Sequence, residues 1–270
     1  MQTATFLSLT DPLCKGNQLT HQNKAFVIGD GYIGKYFHKA YQIAYENDAT
    51  FITSYKNDSS YHFDLKDPQL NHLPIKSGQF TYAFITAGIS SPARCEKDPE
   101  YTFLCNVTNT LKVAKTLNTM GICPILCSTD YVFSGKTGHS SEETTPEPLC
   151  EYGRQKTELE RLLKKELDGN YILLRLSKIF GREKNDRTLL DEMAYKLTQK
   201  ETIKAAEDQF FCPLEIEDLI SVIFKLQAKQ FRGLIHVCGS EKWSRFDLAL
   251  SMAKYLQMKV FLPVKYYWVY

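Results

Sequence analysis

Apolar runs of strand length alternate along the first two thirds of the chain with longer stretches whose apolar positions recur at helical spacing. Ala25–Ile28 is a short, wholly apolar run, and Tyr32–Tyr45 follows it with helical periodicity. Thr50–Ser54, Tyr82–Thr86, Ile122–Ser128 and Tyr171–Leu176 repeat the strand signal. Asn106–Met120 and Glu151–Glu166 repeat the helical one. Strands that alternate with helices predict parallel βαβ units, and right-handed crossovers turn these into an α/β doubly wound parallel sheet. After Gly181 the alternation loosens into helical stretches at Thr188–Gln199, Ile216–Leu226 and Arg245–Leu256, with a short strand at Leu234–Val237. The predicted organisation is an N-terminal extension over 1–24, a nucleotide-binding domain over 25–181 and a smaller substrate-binding region over 182–270.

Composition narrows the class. The 270 residues carry 33 Lys+Arg against 31 Asp+Glu, a formal charge of +2, with 43% hydrophobic and 24% charged residues. That balance suits a globular protein and excludes a disordered chain. It supplies no field to gather nucleic acid or an anionic membrane, so neither is an expected partner. No apolar run reaches the length of a membrane span. Met1–Lys24 is polar and mixed, unlike a signal peptide. None of the eight cysteines forms a CxxC pair, which argues against a zinc site and a disulfide framework, and no metal is expected. A reduced, cytoplasmic protein is the expectation.

Val27-Ile-Gly-Asp-Gly-Tyr-Ile-Gly34 is a GxGxxG between a predicted strand and a predicted helix. In that context Gly29 makes the tight turn, Gly31 admits a pyrophosphate to the backbone, and Gly34 lets the helix pack on the strand. Tyr32 and Ile33 lie on the same loop, where free N–H groups of the helix start face an anion. This is the phosphate loop of a Rossmann fold. The second strand runs into Thr53-Ser-Tyr-Lys56, with no acidic residue before Asp58 to hold a ribose 2′-hydroxyl. Ser54 and Lys56 are candidates to meet a 2′-phosphate instead, which favours NADP, with NAD as the second candidate.

A second constellation carries chemistry. Ser128-Thr-Asp-Tyr131 ends a predicted strand, and Tyr152-Gly-Arg-Gln-Lys156 opens a predicted helix. Tyr152 and Lys156, at i and i+4, share one helix face. A phenol with a pKa of about 10 is a poor proton donor or acceptor at neutral pH, and a nearby ammonium is expected to draw that pKa down. Thr129 is placed to hydrogen-bond the carbonyl that Tyr152 protonates, an arrangement suited to ketone reduction. Ser128, Asp130 and Tyr131 are candidate substrate contacts.

These residues resemble the extended short-chain dehydrogenase/reductases, and within them the dTDP-4-dehydrorhamnose reductase group, from Ala25 to about Leu256. Cys127-Ser-Thr-Asp-Tyr-Val-Phe-Ser-Gly135 looks like the group's STDYVF signature, and Pro148–Lys156 resembles its P-x-x-x-Y-G-x-x-K. Leu174–Gly181 resembles the strand and turn that follow. Asp208-Gln209 with Pro213, then Glu217-Asp-Leu219, resemble its DQxxxP and DL elements. The resemblance implies catalytic Thr129, Tyr152 and Lys156, and cofactor contacts at Gly29, Gly31, Ile33 and Gly34. It further implies that Asp64 and Leu65 bracket the adenine, that Ala87 and Gly88 run along the nicotinamide ribose, that Asn106 lies beneath the site, and that Lys156 also holds ribose hydroxyls. The chain departs from the group in a glycine loop one residue shorter, in Phe211 for a glycine, in Lys178 for an aromatic residue, and in a final Leu262–Tyr270 without the group's late Arg-Pro.

The function implied is NAD(P)H-dependent reduction of a keto-sugar, a nucleotide-linked 4-keto-6-deoxy sugar, with a homodimer as a candidate assembly. Two alternatives are a non-catalytic NADP-binding regulatory subunit resembling the methionine adenosyltransferase beta subunit, and a nucleotide-sugar epimerase or dehydratase.

Overall fold

A computed structural model describes residues 23–45, 50–56, 59–76 and 78–256. Most of the N-terminal extension and all of Leu262–Tyr270 lie outside the described residues. The chain forms two compact units. The first takes the chain up to Arg175 and then Ile220–His236. The second takes Leu176–Leu219 and the chain from Val237 onward.

The first unit is built on a six-stranded sheet. In chain order its strands are β1 (Ala25–Ile28), β2 (Ile52–Thr53), β3 (Tyr82–Ile85), β4 (Cys123–Thr129), β5 (Ile172–Leu176) and β9 (Gly233–Val237), and in space they run β2-β1-β3-β4-β5-β9. The pairings of β1 with β2 and β3, and of β3 with β4, are parallel. The doubly wound α/β prediction is therefore the observed fold. Every residue of β1, β3 and β5 is buried, as a sheet covered on both faces requires. Beyond β2 the sheet frays: Ser54 and His62 form a lone parallel bridge where a further strand would stand.

Helix α1 (Tyr32–Tyr45) turns Gly34, Phe37 and Tyr41 inward, the i, i+3, i+7 positions of one face. Phe37 packs edge-on to Phe84 at 4.4 Å between ring centroids, and Tyr41 meets Phe224 at 5.0 Å. Phe224 belongs to α7 (Ile216–Ala228), whose later turns return to this unit. On the sheet itself Phe26 stacks on Phe51 at 4.7 Å.

The helical signal of Asn106–Met120 is the second half of a longer structure. After α2 (Pro92–Lys97), the chain runs without a break through α3 (Pro99–Phe103), a π-helical stretch (Leu104–Asn109) and α4 (Thr110–Thr119). Ser91 and Asp98 cap α2 and α3 by accepting from the N–H groups of Arg94 and Tyr101. Thr110 Oγ1 donates to the Cys105 carbonyl, 2.9 Å away, inside the wide turn. α5 (Glu151–Glu166) matches its predicted bounds. Its first N–H, at Glu151, is taken by the Glu96 carboxylate at 2.7 Å, which supplies the cap that Cys150 lacks.

The second unit holds two small ladders. β6 (Ile179–Phe180) lies parallel to β8 (Leu214–Glu215), and β7 (Phe210–Phe211) is antiparallel to β10 (Trp243–Ser244). α6 (Leu189–Thr198) and α8 (Arg245–Tyr255) share a core of Met193, Phe211 and Leu248. Ser244 caps α8, accepting from the Asp247 N–H and donating to its carboxylate.

The glycine loop tests how the first βα unit is packed. A methyl at Gly34 would lie 2.1 Å from the Gly29 carbonyl oxygen, whereas one at Gly31 would meet nothing within 4 Å. Gly34→Ala is expected to lower stability by about 3 kcal/mol, the scale of overpacking against backbone, and Gly31→Ala to leave it unchanged. Urea denaturation midpoints check both.

Candidate active site

The sequence-predicted residues gather at the carboxyl ends of the parallel strands, where ligands bind in open α/β sheets. Gly29 follows β1 with φ of 108°, a region only glycine occupies easily, and its N–H is held by Thr53 Oγ1 at 3.1 Å. Thr86, after β3, donates to the Gly29 carbonyl at 2.8 Å. Gly31, Tyr32 and Ile33 lie at the exposed or half-exposed start of α1. The open space over Gly31 fits the approach of a ligand backbone, since no protein atom demands glycine there. Ala87 and Gly88 continue from β3, Gly88 exposed and close to the Asn106 side chain.

Thr129 ends β4 and caps the 3-10 turn Asp130–Val132, accepting from the Tyr131 N–H at 3.2 Å. Its hydroxyl donates to Asp130 Oδ1 at 3.2 Å. Tyr131 stands edge-on to the Tyr152 ring at 6.1 Å. Tyr152 is 8% exposed. Lys156 donates from Nζ to the Cys127 carbonyl of β4 at 2.9 Å and lies 5.8 Å from the centroid of the Tyr152 ring. Thr129, Tyr152 and Lys156 are thus brought to one strand end.

The electrostatics differ from the sequence expectation. Burial pushes the Tyr152 phenol up from 10 rather than down, and the neighbouring Cys127 and Cys95 thiols add to it. Desolvation pushes the Lys156 ammonium down. The reason is burial, since a group out of water favours its neutral form. The phenol therefore keeps its proton at neutral pH, the form that can donate it.

Ser128 does not join this group. Neighbouring residues of a strand face opposite ways, and Ser128 donates to Glu160 in the interior. Glu160 is the centre of a network the sequence reading missed. Arg175 meets it bidentately, Nε donating to Oε1 at 3.1 Å and Nη2 to Oε2 at 2.7 Å, and both side chains are under 8% exposed. The other Arg175 nitrogen lies 3.1 Å from His236 Nε2 and 3.3 Å from the Glu142 carbonyl. A guanidinium only donates, so His236 is neutral at that nitrogen. The Glu142 carboxylate accepts from the backbone N–H of His236 at 2.9 Å, and Arg175 stacks over Phe133 at 5.0 Å. The 133–148 loop, which leads from Thr129 to Tyr152, is tied to β5 and β9 in this way. A signal existed: Arg175 is the one charge in the otherwise apolar β5, and Glu160 lies four residues beyond Lys156 on the same helix face.

The π-helical stretch positions two asparagines. Asn106 accepts from the Ile89 N–H at 2.8 Å and donates to the Ile89 carbonyl at 3.0 Å. It also donates to Gln155 Oε1 at 2.9 Å. Gln155 in turn donates to Thr102 Oγ1 at 2.9 Å and to Glu151 at 3.1 Å. Asn109 donates to the carbonyls of Leu65 and Lys66 at 2.8 and 3.0 Å. The Asp64 carboxylate is engaged in its own turn, accepting from the Lys66 N–H at 2.8 Å. Ser54 donates to the Asp30 carboxylate at 2.9 Å and accepts from the Lys56 N–H at 3.2 Å. Gln155, Asn109 and Asp30 were not singled out by sequence, because their roles depend on partners 24 to 49 residues away.

The sheet order and the glycine loop at β1 define a Rossmann-type doubly wound α/β fold. The chain belongs to the family described as the RmlD substrate binding domain, whose model matches residues 31–266. It is 27% identical over 172 residues to methionine adenosyltransferase 2 subunit beta of Xenopus laevis, covering 60% of this chain and 50% of that protein. It is 33% identical over 132 residues to dTDP-4-dehydrorhamnose reductase of Aggregatibacter actinomycetemcomitans, covering 46% of this chain and 44% of the relative. The chain matches about half the length of these curated relatives. In fold it is similar to a Bacillus anthracis dTDP-4-dehydrorhamnose reductase in complex with NADP, with a TM-score of 0.73 at 23% identity over 90% of this chain and 85% of that one. Among the described residues no helix is long and apolar enough to cross a membrane.

Arg175→Met leaves the Glu160 carboxylate buried without its partner and is expected to cost about 3–5 kcal/mol, whereas the double change Arg175→Met, Glu160→Met is expected to recover much of it. Urea unfolding of the three proteins checks this. His236 has its pKa lowered, chiefly by burial. The unfolded chain then binds the proton more readily, so stability falls as pH drops below about 6.5. His38 is shifted the same way by burial. Melting curves between pH 7 and 5 should show a shallower acid loss in His236→Asn than in the wild type.

Proposed function

We propose that the protein is an NAD(P)H-dependent reductase of a keto-sugar carried on a nucleotide. The observation that carries this reading is the convergence of Thr129, Tyr152 and Lys156 at the end of β4, with the ammonium anchored on the Cys127 carbonyl. The Bacillus anthracis relative binds NADP and is a dTDP-4-dehydrorhamnose reductase, which supports the cofactor class and a nucleotide-linked 4-keto-6-deoxy sugar as substrate. Gly29, Gly31, Ile33 and Gly34 would hold the pyrophosphate, and Ala87 and Gly88 the nicotinamide ribose. When bound, the reduced nicotinamide supplies the hydride.

The chain's own residues then manage the oxygen. Tyr152 gives its proton to the carbonyl oxygen as charge develops there, and the Thr129 hydroxyl, turned away from Asp130, donates a hydrogen bond to the same atom. Lys156 compensates the phenolate left behind, which costs less beside an ammonium than in a dry site without one. Asp130 and Tyr131, on the turn after Thr129, are positioned as substrate contacts.

A second reading has its own support. Methionine adenosyltransferase 2 subunit beta, the name of the Xenopus laevis relative, denotes a subunit. On that reading the protein binds the cofactor and acts through a partner chain. The two readings part at Tyr152. Tyr152→Phe keeps the ring and removes the transferable proton, so reductive turnover is expected to fall by about 10²–10⁴. Cofactor affinity should change little. Lys156→Ala should lower both turnover and cofactor affinity. Single-turnover NADPH oxidation against a panel of nucleotide-linked 4-keto sugars checks this. A wild-type rate from Tyr152→Phe would overturn the mechanism and favour the regulatory subunit.

A further inference from the structure

We propose that Asp30, inside the glycine loop, selects the cofactor by taking the adenosine ribose 2′-hydroxyl, so that the protein binds NADH in preference to NADPH. The inference rests on the reading above and decides a choice that reading leaves open. In dinucleotide-binding sheets the selecting acid stands at the end of the second strand, where it accepts from the 2′-hydroxyl. This chain has Thr53-Ser54-Tyr55-Lys56 there and no acid on the strand. The carboxylate arrives at that place from the other side: Asp30, between Gly29 and Gly31, is 2.9 Å from Ser54 Oγ.

The hydrogen-bond inventory of Ser54 sharpens the point. Its hydroxyl has one proton, which goes to Asp30, and its oxygen already accepts from the Lys56 N–H at 3.2 Å. Ser54 can donate to a phosphate only by giving up Asp30. It holds the Asp30 carboxylate in place, with that carboxylate's remaining lone pairs able to accept from a hydroxyl. A 2′-phosphate brought to the same spot adds like charge beside a fixed anion. Lys56 is the one cation of the segment, and its exposed side chain leaves its charge screened by solvent.

Dissociation constants for NADH and NADPH, measured by fluorescence titration at one ionic strength, test the proposal with no substrate present. The wild type should bind NADH about tenfold more tightly or better, the ratio that 1.4 kcal/mol represents. Asp30→Asn keeps the shape, removes the charge, and should erase most of that ratio by improving NADPH. Lys56→Ala should move the ratio less. Equal affinities or tighter NADPH in the wild type would overturn the proposal while leaving the reductase reading intact, as would an unchanged ratio in Asp30→Asn. Failure of both cofactors to bind the wild type would overturn that reading and this inference together. The wild-type ratio decides the matter even if Asp30→Asn does not fold.

Discussion

The ammonium of Lys156 rests on the Cys127 carbonyl at 2.9 Å, and that contact sets where helix α5 can lie against β4. A helix packed only through apolar side chains can slide or rotate by a fraction of a turn at small cost. A helix bonded through buried polar groups cannot, because each broken bond leaves a desolvated donor or acceptor. α5 is bonded this way at three levels, where Gln155 meets Asn106 and Thr102, Lys156 meets β4, and Glu160 meets Ser128 and Arg175. The Glu96 carboxylate adds an exposed cap at Glu151. The position of Tyr152 follows from these bonds rather than from its own contacts.

The π-helical stretch belongs to the same constraint. At 100° per residue an α-helix from Pro99 to Thr119 would set Asn106 and Asn109, at i and i+3, about 60° apart on one face. The wide turn opens that angle while both side chains stay buried. One then clamps Ile89 beyond β3, and the other clamps the Leu65–Lys66 backbone beyond the frayed sheet edge. Both loops are ones to which the family resemblance gives cofactor contacts. A single irregular turn thus fixes two loops and, through Gln155, helix α5. Such bulges recur at functional sites because they place a side chain where regular geometry would not.

What could be read from sequence follows the range of the interaction. β1, α1, α5 and the glycine loop obey local rules of periodicity, caps and conformational freedom, and they stand where those rules put them. α2 and α3 escaped because they are short and polar, with caps at Ser91 and Asp98 rather than an apolar stripe to announce them, and the helical signal from Asn106 did not show that its first turn is π-helical. Tyr152 and Lys156 were legible because four residues on a helix define one face. The direction of their pKa shifts was not, because burial is set by residues from β4, α2 and the Asp130–Tyr131 turn that the helix sequence does not mention. Ser128 was misjudged for a related reason. Adjacent to Thr129 in the chain, it is on the opposite face of the strand, bonded to a glutamate 32 residues later.

The same distinction separates the chemistry of the site from its selectivity. Proton donation needs only a strand end, a phenol and an ammonium in register, and a parallel sheet with a helix across it supplies these from local geometry. Selectivity needs charge placed against charge across a gap, and here the relevant carboxylate comes from the loop after β1 to a hydroxyl after β2, 24 residues on. Reading outward along the second strand finds Ser54 and Lys56 and a basic lean. Folding brings Asp30 against Ser54, whose hydroxyl proton it takes. The residues proposed to choose a ligand are therefore legible only once the strands are paired, whereas those proposed to act on it are visible in a single helical turn.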